Sequence, residues 1–75
     1  MSAHRIIWVS PLADGWTVLC AGFEPLVFRS GARAEAQARR LADCLARLGR
    51  AVQVRVLDKA RNLVGTEVYP AIATA

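Results

Sequence analysis

Between Ser30 and Gly49 the chain carries one uninterrupted amphipathic helical segment, the only stretch with a helical period. Ala34, Ala38, Leu41, Leu45 and Leu48 recur at steps of four, three, four and three, the period of a single buried stripe. Six alanines and no interior glycine or proline add intrinsic helix preference. Ser30 is placed to accept an amide of the first turn, and Gly49 to follow the last turn as a C′ residue. Glu35–Arg39 and Asp43–Arg47 are i,i+4 ion pairs in the favourable order. A helix with one apolar stripe must lie on another layer, and 75 residues allow one small domain.

The flanking segments read as that layer. Arg5–Ser10 is β-branched and aromatic, with Pro11 as its stop. Ala13-Asp14-Gly15 is a turn signal, with Gly15 free to take positive φ. Trp16–Ala21 reads as a second strand and Leu26–Arg29 as a short third one after Glu24-Pro25. Beyond the helix, Ala51–Leu57 alternates Val52, Val54 and Val56 with Gln53 and Arg55. Asp58–Asn62 is a turn, Leu63–Tyr69 a fifth strand and Pro70 its end. The predicted architecture is a two-layer α+β domain, β-β-β-α-β-β, with a mainly antiparallel sheet and one helix on one face. The core is expected over about residues 4–69, with Ala71–Ala75 as a frayed tail.

Composition narrows the function classes. An apolar share of 55% excludes a disordered chain. Ser10-Pro11 and Asp14-Gly15 interrupt the Ile6–Phe23 stretch, so no membrane span is expected there. The longest clean apolar run, Ile6–Val9, is too short for a signal peptide. Two cysteines, Cys20 and Cys44, lack metal spacing and read as buried or half-buried thiols of a cytoplasmic protein. Catalysis has little material: His4 lies outside the first strand, and Asp14, Glu24, Asp58 and Glu67 fall at turns or alternating strand positions. The five glycines form no phosphate-cradling loop. The expectation is a non-catalytic chain without metal, cofactor or small-molecule substrate.

Several of these residues also resemble something known. The Gly15-Trp16-Thr17-Val18 step, the Ala34-Glu35-Ala36 helix start, the Ala38-Arg39-Arg40-Leu41-Ala42 helix centre, Gly49, Val52-Gln53-Val54 and the Asp58 turn together resemble a family of short bacterial proteins, a domain of unknown function. The resemblance covers roughly residues 4–69. It implies a hairpin–helix–hairpin fold and a bacterial source, and no activity. The chain departs at its last turn, where Arg61-Asn62 stands in place of an expected glycine; Asn62 tolerates left-handed geometry.

Two interaction readings follow from the residues. The first is self-association. The opening hairpin is apolar on both sides, and one helix covers one side only. Ile7, Val9, Leu19 and Leu57 are assigned to the uncovered face, a patch large enough to suggest a homodimer or another protein partner, through that face or an edge strand. The second is nucleic acid. Arg33, Arg40 and Arg47 recur every seven residues on the helix flank, with Arg29 and Arg50 near its ends, in a chain of net charge +4. Such a ladder of guanidinium groups suits a phosphate backbone. Trp8 and Trp16 read as core of the first hairpin, with a ligand-stacking platform as the other reading.

Overall fold

The elements of the computed structural model, which describes residues 5–72, follow the turn residues. They are β1 (Arg5–Leu12), β2 (Gly15–Cys20), β3 (Leu26–Phe28), α1 (Gly31–Arg47), β4 (Val52–Leu57) and β5 (Leu63–Tyr69). The strands form one mixed sheet in the order β3-β2-β1-β4-β5, with α1 packed on one face, so the fold is a two-layer α+β domain. Three of the strand pairs are antiparallel. The central pair, β1 with β4, is parallel, because the chain returns from the β3 edge through α1 to add β4 beside β1.

The helix is capped at both ends as its sequence requires. Ser30 Oγ accepts from the Arg33 amide at 3.1 Å. At the other end Gly49 adopts φ +86, its amide donates to Ala46 O and the Arg50 amide to Leu45 O, which closes a Schellman turn. The buried stripe differs from the expected one. It consists of Ala34, Ala38, Ala42, Leu45 and Ala46, with Leu41 half-buried and Leu48 71% exposed. Alanines face the sheet because the branched side chains come from below: Ile7, Val9, Val52 and Val54 fill the interlayer space. Leu48, as the C-cap residue, has left the stripe with the helical dihedrals.

Three local expectations are corrected. Pro11 does not end β1 but lies inside it, paired with Trp16; β4 accompanies β1 only as far as Val9, so no neighbour on that side needs the missing amide. Gly15 does not take positive φ. A Cβ there would stand 2.5 Å from Phe28 O, so close backbone approach is what requires glycine. In the last turn the left-handed residue is Arg61 (φ 65), not Asn62. Asp58 Oδ1 accepts the amides of Ala60 and Asn62 at 2.9 Å each and holds that loop in shape. The tail beyond Tyr69 also begins in contact: the Ile72 amide donates to Ala46 O at 2.8 Å.

Candidate interaction surfaces

The two sides of the sheet follow from one short loop. Only Ala13 and Asp14 separate β1 from β2, which pairs Leu12 with Gly15 and hence Val9 with Val18 and Ile7 with Cys20. Ile7 and Val9 therefore face the helix and are fully buried, which corrects their assignment to the uncovered face. The physical cause is the loop length. Counting Ala13-Asp14-Gly15 as a three-residue turn shifts the register by one, and a one-residue shift turns every side chain to the opposite side. The uncovered face carries Ile6, Trp8, Ser10 and Leu12 of β1 instead, with Thr17 and Leu19 of β2. Leu19 stays there, exposed, and the half-buried Leu57 stays on the same parity of β4 as Gln53 and Arg55.

This face is apolar but not bare. Trp8 pairs across the sheet with Arg55, whose guanidinium carbon stands 5.3 Å from the indole centroid. Arg55 Nη2 donates to Gln53 Oε1 at 3.1 Å. Thr17 Oγ1 donates to Leu26 O, and Arg61 Nη2 reaches Pro11 O from the β4–β5 turn. At the Arg5 end a groove of about 520 Å³ opens between Arg5, Ile6, Trp8, Leu19 and Phe23. Arg5 stacks over the Phe23 ring at 6.0 Å and donates from Nη1 to Ala21 O at 2.8 Å. Both ring–guanidinium pairs join residues far apart in sequence, and only the cross-strand register reveals them.

The helix arginines are disposed otherwise. With the buried stripe centred near Ala38 and Ala42, a rotation of about 100° per residue places Arg33, Arg40 and Arg47 on the outward ridge rather than the flank. All three are exposed, as are Arg29 and Arg50 at the ends. The ladder is not uniform, because Arg47 Nε is held by Asp43 at 3.0 Å. Arg39, one residue off the ridge, bonds both Glu35 at 3.4 Å and Glu67 of β5 at 3.0 Å, and the Glu67 contact holds its guanidinium above its ordinary pKa.

Cys20 is buried and Cys44 is exposed on the helix, which corrects the expectation that both are at least half hidden; the two are not joined. His4 lies outside the described residues. Among the described residues no group of three or more His, Cys, Asp and Glu is placed to hold a metal ion, and no helix is long and apolar enough to cross a membrane.

The sheet has two free edges of unlike character. β3 is three residues long; β5 has seven, no proline and no lysine. Along β5 the exposed residues alternate, with Val64 61% and Val68 58% exposed on either side of Thr66. Comparison with known proteins found no matching family model, curated protein or solved structure.

Proposed function

We propose that this protein is a non-catalytic interaction module that forms a homodimer by pairing β5 with β5 of a second copy. The seven-residue outer edge of β5, free of proline and lysine, carries the reading, since an unpaired edge of that length is a ready template for another strand. A two-fold pairing centred on Thr66 is self-complementary. It sets Val64 against Val68 of the second copy and Glu67 against Gly65, so no like charges meet. Covering each valine contributes about 1–2 kcal/mol beyond the new backbone hydrogen bonds.

Face-to-face stacking of two sheets is the poorer alternative. It would bring Arg55 of both copies into an apolar contact without a counter-charge. Duplex binding on the helix ridge is likewise less favoured, because Asp43 already neutralises one of its three rungs. Sedimentation at high micromolar concentration tests the dimer. The wild-type chain should run at the mass of two copies. Thr66→Lys, which places like charges across the two-fold axis, should run as a single folded chain. A monomeric wild type, or a Thr66→Lys dimer of unchanged strength, would refute the pairing.

A further inference from the structure

The basic side chains of this protein sit in unlike surroundings: among the described residues Arg29, Arg33, Arg40, Arg50 and Lys59 are exposed without an ion pair or an aromatic contact, and Arg61 meets the Pro11 carbonyl. On the helix, Arg39 and Arg47 are paired with carboxylates. Arg55 on the uncovered face, and Arg5 at the start of β1 on the helix-side parity with its side chain reaching Ala21 and Phe23, are held by aromatic rings and neutral oxygens, and neither is bridged to an acid among the described residues. Each guanidinium has five N–H donors and spends one on its anchor, Arg5 on Ala21 O and Arg55 on Gln53 Oε1. The anchors fix the orientation and leave the charge uncompensated. No carboxylate lines the groove between Arg5, Trp8 and Phe23.

We infer that this groove, together with Arg55 where it packs on Trp8 outside the groove lining, binds single-stranded nucleic acid, with bases stacking against Trp8 and Phe23 and backbone phosphates taken by Arg5 and Arg55. The ligand must combine flat apolar rings with regularly spaced negative charge, because the site alternates rings with unpaired cations. A single strand offers both, since its unstacked bases expose their π faces to aromatic platforms. A duplex hides those faces inside its own stack. An acidic peptide matches the charge but leaves the rings unused. The volume of about 520 Å³ is of the size that takes a small planar group. The groove is lined from β1, β2 and the turn after β2, and Arg55 of β4 is the cross-strand partner of Thr66, so the site borders β5 but takes no residue from it and does not require the chain to be a dimer.

The test uses the protein's own fluorescence. Trp16→Phe leaves Trp8 as the single tryptophan, since the chain has two. Oligouridylate and oligothymidylate are titrated into this variant in parallel, and binding of either strand supports the site. Saturable quenching of Trp8 is expected. With two phosphates neutralised, affinity should fall about sevenfold between roughly 50 and 200 mM salt, from a slope of about −0.7 per phosphate. Arg55→Gln should weaken binding several-fold and flatten the salt slope, while Arg40→Gln on the helix ridge should change neither. Polyglutamate should not quench. The inference is overturned by absence of saturable quenching at low salt, by equal quenching with polyglutamate or with duplex, or by a loss that follows Arg40→Gln and not Arg55→Gln. Arg55 is half-buried outside the core, and because Trp16 packs against that core the same titrations are run on the wild-type chain beside Trp16→Phe, so the outcome does not hinge on a variant that fails to fold.

Discussion

The two faces of the sheet are built from alternate residues of the same strands, yet they differ in kind. Beneath the helix, Ile7, Val9, Val52 and Val54 are closed off entirely by an alanine stripe. One residue along, Trp8 and Arg55 lie across from each other, half-buried and stacked, with no helix above them. Branched aliphatic side chains with nothing polar to satisfy make a dry interlayer; a ring under a guanidinium makes a surface meant to remain wet on one side. Composition does not separate these faces, because both are rich in apolar residues. What separates them is parity, set by the two residues between β1 and β2.

The sharpest way to break the comparison is to truncate neighbours on opposite faces. Ile7→Ala should cost about 2–5 kcal/mol, since it leaves a cavity in the closed layer. That is much of the stability of a domain this small, roughly 4–11 kcal/mol at 0.05–0.15 per residue. Ile6→Ala, on the uncovered face, should cost about 1 kcal/mol. Denaturant midpoints of the two variants measure the difference directly. Equal losses would mean that the assigned parity is wrong.

The alanine stripe gives a second, smaller test from the helix side. Ala38 is fully buried, and its small side chain lets α1 approach the branched residues below. Ala38→Leu should therefore destabilise by about 1–3 kcal/mol through overpacking, although leucine is a good helix former. The same exchange at exposed Ala36 should be close to neutral. Thermal melts of both variants check it; a neutral Ala38→Leu would show that the layers are loosely packed.

Much of this was legible in the residues. The helix, its Ser30 cap, its Gly49 terminus and both i,i+4 pairs follow from local chemistry and are found in place. The succession of strands along the chain was also readable from Pro, Gly and Asp, except that Pro11 lies inside β1 instead of ending it. What local reading could not supply is register. Whether the first turn spans two residues or three changes no propensity, but it decides which of Ile6 and Ile7 is core. Likewise, no sequence spacing points Arg55 at Trp8 or Arg5 at Phe23, because those pairs exist only once β1 meets β4 and the chain bends back after β2. The ridge arginines, by contrast, were easy to find from their spacing, and they proved the less distinctive set.

The smallest effect lies where the two faces meet, at the β5 rim of the covered side. Tyr69 pairs with Val52 and packs against the core. Burial, followed by the nearby Glu67 carboxylate, lifts its phenol above the usual tyrosine value of about 10. Because the folded state holds this proton more tightly than the unfolded chain, the associated stability is intact below pH about 10 and declines above it, up to the folded-state value. Tyr69 is the single tyrosine, so an absorbance titration reads it alone. The midpoint should lie above that of free tyrosine. Glu67→Gln should lower it, since the exchange removes a carboxylate that raises the phenol and leaves the Arg39 cation that lowers it, while burial, the larger cause, stays in place. A midpoint at the free-tyrosine value would mean that the covered face ends before Tyr69, and that β5 belongs with the open side of the sheet.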